Sequence, residues 1–257
     1  MKLLVASLGT VSYEQALALQ RAVAIARISG AFDEDLLLLV EHPPVVTLGR
    51  SSKEAHLLAS PAILEARGVD LFEVERGGDV TVHGPGQLVG YPIIDLKRHT
   101  RDLHWFLRRV EDALIAAVAP LGILGERNAG FTGVWAGGRK LASIGVHARD
   151  WVTWHGFALN VSTDLSLFDL IVPCGIPSVE MTSVSLELSR ARDSAPSPST
   201  GAAAALPFGT AMATSEGNLG RLVQSLVVDG FADVFALEPA QMDLSELERV
   251  AASTVSI

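Results

Sequence analysis

The chain has one cysteine in 257 residues, Cys174, in the run Ile171-Val172-Pro173-Cys174-Gly175-Ile176. A lone thiol is either a small buried filler or a nucleophile, because cysteine is among the most buried residue types and its thiolate is intrinsically very nucleophilic. A second concentration of chemistry is Arg76-Gly77-Gly78-Asp79-Val80-Thr81-Val82-His83-Gly84-Pro85-Gly86-Gln87, followed by Tyr91-Pro92. Its glycine pairs bracket a short strand, and such glycines let backbone N–H groups approach a ligand or form an anion-binding nest. Arg76 is a candidate to hold a phosphate, His83 a candidate donor or base, and Gln87 and Tyr91 offer polar tips. The same pattern also serves as a plain turn beside a structural histidine. A third block, Gly137-Gly138-Arg139-Lys140-Leu141-Ala142-Ser143-Ile144-Gly145, places Lys140 where a Gly-Gly turn enters an apolar strand. Its ammonium is either left in water or drawn inward. His42, His56, His83, His99, His104, His147 and His155 show no ligand-like spacing with carboxylates or with Cys174, so no metal or other cofactor is expected. His155 reads as a structural or substrate-wall residue rather than a base.

These residues need elements to carry them. Ser12 with Gln15 resembles a capping box, and Leu17, Ala18, Val23, Ala24, Ile25 and Ile28 recur at helical spacing up to Gly30. Leu36 to Val40 is a short apolar run that fits a buried strand, and Val45 to Leu48 fits another after Pro43-Pro44. Ser60-Pro61 opens a short helix closed by Gly68, with proline tolerated at the first helical position. A longer helix is expected from Leu103 to Ala119, stopped by Pro120. From Val134 to Val161 the pattern becomes short strands split by Gly-Gly and Arg-Asp turns. The class is therefore α+β, a mostly antiparallel sheet flanked by helices. Residues 1–189 form the expected catalytic domain. Residues 190–217, rich in Ser, Pro and Ala, read as an insertion or linker. Residues 218–257 read as a helical segment, capped by Asn218, that packs back on the same domain because it is too short to stand alone.

Composition narrows the class of function. Nearly half the residues are apolar, 19% are charged, and the net charge is −9, which argues against general nucleic-acid binding. From residue 194 onward seven acidic residues face two basic ones, leaving −4 for residues 1–193. Within that part Lys97, Arg98, Arg101, Arg108 and Arg109 form a basic stretch that is either a solvated helix face or a dock for an acidic partner. One cysteine closes no intrachain disulfide, no apolar run has membrane-spanning length, and the N-terminal apolar run is too short for a signal peptide. A cytoplasmic protein is expected.

Five blocks in fixed order carry a resemblance: "EHPPVVTLGR" (41–50), "RGGDVTVHGPGQLVGY" (76–91), "GGRKLASIG" (137–145), "HGFALNV" (155–161) and "PCG" (173–175). Together they resemble the lipoyl(octanoyl) transferase family, over about residues 11–185. The resemblance implies an α+β fold similar to biotin and lipoate protein ligase catalytic domains. It implies transfer of octanoyl from acyl carrier protein to a lysine of lipoyl domains, in the 2-oxoacid dehydrogenase complexes and the glycine cleavage H protein. It implies Cys174 as the acyl-bearing nucleophile and Lys140 as its acid/base. Arg76, Gly77, Gly78, Asp79, Val80, Thr81, Val82, His83, Tyr91, Ser143, Ile144, Gly145, Gly156, Phe157 and Ala158 are implied to line the acyl site. Val82 departs from the pattern, standing where an aromatic residue is expected, which bears on the shape of the acyl pocket. Three rival readings use the same residues: an ATP-dependent lipoate or biotin ligase, which requires no cysteine nucleophile; a thioesterase-like hydrolase; and a non-enzymatic acyl-carrier-binding module with Cys174 as filler.

Overall fold

The computed structural model describes residues 1–194 and 216–253. Strand β1 (Lys2–Thr10) leads into helix α1 (Tyr13–Ser29), whose first turn is closed by Ser12 Oγ accepting from Gln15 N and whose end is closed by Gly30 in the left-handed region. The apolar run forms β2 (Asp35–Glu41), and Val45–Leu48 forms β3. Helix α2 (Pro61–Ala66), capped by Ser60, precedes β4 (Asp70–Glu73), β5 (Val80–His83) and β6 (Gln87–Ile93). Asp102 caps α3 (Leu103–Val118), which tightens into a 3-10 turn where Pro120 cannot continue it. Then come β7 (Gly125–Asn128), β8 (Phe131–Ala136), β9 (Arg139–Arg149), β10 (Val152–Asn160), α4 (Val184–Ser194), α5 (Glu216–Phe235), β11 (Glu238–Gln241) and α6 (Leu244–Ala252).

Eight strands form one sheet in the order β11-β1-β2-β6-β10-β9-β8-β7. Its pairs are antiparallel from β2 to β7, and β1 pairs parallel with both β2 and β11. Strand β2 is buried on both faces, so it reads as a continuous leucine run rather than as an alternation. Leu37 and Leu39 pack with Phe106, Val110 and Leu114 of α3 and Val227 and Phe231 of α5. Leu36, Leu38 and Val40 pack on the opposite face with Val23 of α1 and Leu247 of α6. Each such leucine stabilises the fold by about 1.5–3 kcal/mol. A small sheet, β4-β3-β5, lies beside the large one and has its own apolar cluster.

Several boundaries differ from the sequence reading. Helix α4 continues to Ser194, and Arg190 pairs with Glu180 and Glu187, so the start of the expected 190–217 insertion is helical. Its residues 195–215 lie outside the described residues. Helix α5 begins at Glu216, so Asn218 sits inside the helix and accepts from Arg221 Nη2 instead of capping. The C-terminal segment also holds a strand, β11, whose Pro-containing sequence Glu-Pro-Ala-Gln gives no β signal and which is drafted by the parallel edge of β1. Among the described residues no helix is long and apolar enough to cross a membrane.

Helices α3 and α5 approach closely at Gly230, where an added Cβ would lie 2.4 Å from the Ala113 carbonyl oxygen. Alanine is the better helix former by about 1 kcal/mol, but overpacking of this kind costs about 1–3 kcal/mol. Gly230→Ala is therefore expected to lower the melting temperature by several degrees; a rise would show that the two helices are not locked at this crossing.

Candidate active site

Cys174 sits at the centre of a 3-10 turn, Pro173–Gly175, with φ 55° and ψ 20°. That left-handed conformation costs a non-glycine residue on the order of 1–2 kcal/mol and persists only where the surroundings impose it. Here Gly175 N donates to Val172 O (3.0 Å), Ile176 N donates to Pro173 O (3.1 Å), and Val172 N donates to His56 O (2.8 Å). The thiol is half-buried, and Ser143 Oγ lies 3.6 Å from its Sγ.

Lys140 enters from β9. Its backbone N donates to Glu180 O (2.8 Å) and its carbonyl accepts from Thr182 N (2.9 Å), which fixes the strand beside the segment that follows Cys174. The side chain is drawn fully inward, 1% exposed. Nζ donates to Thr132 O at 3.4 Å and lies 4.9 Å from the centroid of the Trp135 ring. Among the described residues no carboxylate pairs with it.

Cys174 and Lys140 line one cavity of about 420 Å3. Gly77, Gly78, Asp79, Thr81 and His83 form one wall, and Ser143, Ile144, Gly145, Gly156, Phe157 and Ala158 form another, with Arg76 and Tyr91. Val80 and Val82 do not reach it, which corrects the sequence reading. Side chains alternate along β5, so Thr81 and His83 face the cavity. Val80 and Val82 point into the cluster of Val46, Leu64, Phe168, Leu170 and Ile171. The departure from the family pattern at Val82 therefore changes that cluster rather than the cavity wall.

The electrostatics correct two further roles. Arg76 is buried and spends its N–H groups internally: Nε on Thr47 Oγ1, Nη1 on Gly77 O, Nη2 on Thr47 O and Oγ1. It is a fixed internal cation rather than a phosphate clamp. Burial lowers it from its ordinary value, opposed by the charges of Tyr13, Cys174 and Asp79. His83 is pushed by burial down to about 3, and its Nδ1 faces Gln87 Oε1 at 2.7 Å. Gln87 Nε2 donates to Asn160 Oδ1, so Oε1 is the acceptor and His83 is a neutral Nδ1–H donor, not a base.

Several wall residues carried no sequence signal. Tyr13 of α1, with its hydroxyl pushed by burial to about 12, stacks on His83 and closes the cavity together with Tyr91 and His155. Tyr91 OH lies 2.7 Å from Nε2 of His42, whose Nδ1 is 2.7 Å from Val11 O; burial keeps His42 neutral, so Nδ1–H donates and the tyrosine donates to Nε2. The opposite end opens to solvent between Leu103 (38% exposed), His104, Leu107 and Phe131 (42% exposed). Leu103, His104 and Phe131 join the wall only because α3 and the β7–β8 hairpin meet there. Among the described residues no three His, Cys, Asp or Glu side chains come together as a metal site.

Residues 12–195 match the lipoyl protein ligase A/B catalytic domain. An octanoyltransferase of Gloeobacter violaceus is 54% identical over 168 residues, which cover 65% of this chain and 73% of that one. One of Acidobacterium capsulatum is 53% identical over 194 residues, covering 70% and 78%. The chain belongs to the octanoyltransferase family. Among solved structures, lipoate-protein ligase A bound with ATP aligns at TM-score 0.63 with 15% identity, over 98% of this chain and 92% of that one. A bi-partite lipoate protein ligase of Thermoplasma acidophilum aligns at 0.64 with 16% identity, over 98% and 91%. At that identity the likeness concerns the fold, and it matches the α+β class with lipoate-ligase architecture expected of the family.

The buried, neutral histidines set a pH dependence of stability. His42, His83 and His155 are all lowered by burial. Below about pH 6.5 the unfolded chain takes up protons that these rings refuse, so stability is full above that pH and falls as pH drops towards their folded values. For His83, whose folded value is about 3, the loss is about 1.4 kcal/mol per pH unit. Urea midpoints of the natural chain should fall between pH 7 and pH 5, and His83→Gln should flatten that slope. Equal slopes in the two proteins would mean that His83 is protonated in the native state.

Proposed function

We propose that this acyltransferase moves an octanoyl group from acyl carrier protein to a lysine of lipoyl domains, in lipoate biosynthesis, through an acyl-thioester on Cys174 with Lys140 as acid/base. The observation that carries this reading is the pairing of a strained, half-buried thiol with a buried lysine, unpaired with any carboxylate among the described residues, on one cavity lined at its inner end by the buried Tyr13, Tyr91 and His155. A buried ammonium without an anion is costly, and a thiolate in the same cavity offsets that cost.

The cycle balances. The Cys174 thiolate attacks the carrier thioester carbonyl, and the carbon–sulfur bond to pantetheine breaks as Lys140 gives its proton to that sulfur. Neutral Lys140 then takes a proton from the incoming lysine ammonium, freeing the amine to attack the Cys174 thioester. The bond to Sγ breaks, the thiolate is restored, and the nitrogen sheds its remaining extra proton to water. The donor is already an activated thioester. Gly77 N donates to Val146 O (2.8 Å), which ties the glycine-rich wall to β9, and Gly78, Gly145 and Gly156 leave room beside the reacting carbonyl for the acyl chain. An eight-carbon chain gains on the order of 5 kcal/mol from burial, at about 0.8 kcal/mol per methylene. Closure by Tyr13, Tyr91 and His155 supports discrimination against longer chains beyond what burial alone provides.

The same reading docks the carrier at the open end. Of the basic stretch, Arg108 and Arg109 are already paired with Glu111 and Asp112, and Lys97 with Asp95. Arg98 Nη1 donates to the Asp33 carbonyl, which leaves its charge unpaired, and Arg101 has no acidic partner among the described residues. These two, with exposed Leu103 and Phe131, suit an acidic carrier.

Octanoyl carrier mixed with the enzyme, without ATP or acceptor, should leave an octanoyl mass on the Cys174 peptide that a lipoyl domain then discharges. Activity that appears only with ATP and a free acid would instead support a ligase. Cys174→Ser should abolish transfer, and Lys140→Ala should lower kcat by about 10²–10⁴. In Arg98→Glu/Arg101→Glu the KM for the carrier should rise with kcat unchanged; an unaltered KM would move the dock elsewhere.

A further inference from the structure

The turn that presents Cys174 is seated on a pair of side chains with no part in the cycle above. His56 Nδ1 lies 2.7 Å from Asp79 Oδ2, and Asp79 Oδ1 accepts from Val80 N at 2.7 Å, so both carboxylate oxygens are engaged. Gly175, at φ 66°, rests directly on this pair: a Cβ there would lie 2.4 Å from Asp79 Oδ2 and 3.0 Å from His56 Cε1. The His56 backbone carbonyl accepts from Val172 N, and Leu57 bridges to Ile171, so the same short segment grips the chain on the approach to the cysteine. The imidazole is thus joined to the Cys174 turn by its backbone on one side and, through Asp79, by its ring on the other.

The electrostatic setting makes the pair more than a brace. Asp79 lines the same cavity as Cys174, and both act on the buried cation Arg76. The Asp79 carboxylate, set against the neighbouring Gly175, competes with a Cys174 thiolate for that positive charge. The other polar groups lining the cavity are Tyr13, Arg76, Thr81, His83, Tyr91, His104, Thr132, Lys140, Ser143 and His155, and none of them is hydrogen-bonded to Asp79. Among the described residues the carboxylate accepts from the His56 N–H and the Val80 N–H, and the ring donates to it in either protonation state.

We propose that His56 is a positioning residue for Cys174: its hydrogen bond to Asp79 holds the left-handed turn in place and blunts the carboxylate charge that would otherwise suppress the thiolate. This rests on the reading that Cys174 carries the acyl group. The arrangement also explains why a glycine must follow the cysteine, since any larger residue would push the turn off its support.

The test separates charge from bracing, and both from the nucleophile assignment, by measuring the free enzyme without substrate. Iodoacetamide alkylation of Cys174 is followed by peptide mass in the natural chain, His56→Ala, His56→Gln and the double variant His56→Ala/Asp79→Asn, with melting temperatures alongside. His56→Ala should slow alkylation and single-turnover octanoylation by about tenfold or more, the effect of an unscreened like charge at this range. It should lower kcat and leave the KM for the lipoyl domain unchanged. Removing the exposed charge in the double variant should recover most of the rate, and His56→Gln, which keeps an N–H donor, should recover at least part of it. A double variant as slow as His56→Ala, or a His56→Ala enzyme alkylated at the natural rate, would overturn the proposal. Should His56→Ala fail to fold, His56→Gln decides alone, a loss of tenfold or more counting against it. Transfer that survives complete alkylation of Cys174 would instead overturn the nucleophile reading on which this one stands.

Discussion

The constraint on which the rest of the structure depends is a buried lysine with no carboxylate paired to it among the described residues. Taking an ammonium out of water without a counter-anion is among the costlier things a fold can do. The region around Lys140 is organised to hold it there. The carbonyl of Thr132 and the face of Trp135 offer partial compensation without neutralising the charge. Both come from β8, whose Gly133 N donates to Glu111, a fully buried carboxylate of α3 that Arg108 and Arg127 also engage. A helix, a hairpin and two arginines therefore fix the strand that supplies the lysine's neighbours. Among the described residues no structural ion pair consumes this side chain, which leaves it free for the acid/base part that the proposed cycle gives it.

A second buried cation, Arg76, shows the complementary solution. Its hydrogen bonds all go to backbone carbonyls or to the Thr47 hydroxyl, so its positive charge is oriented but not cancelled. Around Arg76, whose charge acts on Tyr13, His83, Tyr91 and His155, the rest of the closed wall is polar yet uncharged. Tyr13, His42, His83, Tyr91 and His155 are kept neutral by burial. An alkyl chain can lie against such neutral side chains without stripping solvent from an ion, and Arg76 is already hydrogen-bonded within the protein.

The likeness to lipoate ligases concerns the fold. In this chain the Pro173–Gly175 turn brings a thiol to the cavity in a strained conformation, and the proposed cycle uses it as the nucleophile.

Much of this could be read from the order of residues. The helices over 13–29 and 103–118 and the strand over 36–40 follow from capping residues and apolar periodicity, which are local properties. Cys174 and Lys140, which the separated blocks single out together, do line one cavity, and their roles belong to the proposed cycle. Other features were decided only by tertiary contact. Val80 and Val82 belong to the glycine-rich block in sequence, but strand alternation turns them away from the cavity. His83 looks like a base until burial removes its proton. Tyr13 and His56 lie outside the motif blocks and His42 inside the first of them, and all three reach the site only because α1, the segment after β2 and the segment before α2 fold against it. Strand β11 has no β pattern and exists because the edge of β1 leaves backbone groups to be paired. Local sequence sets which elements form; burial and long-range packing determine which of their side chains face the chemistry and in what charge state.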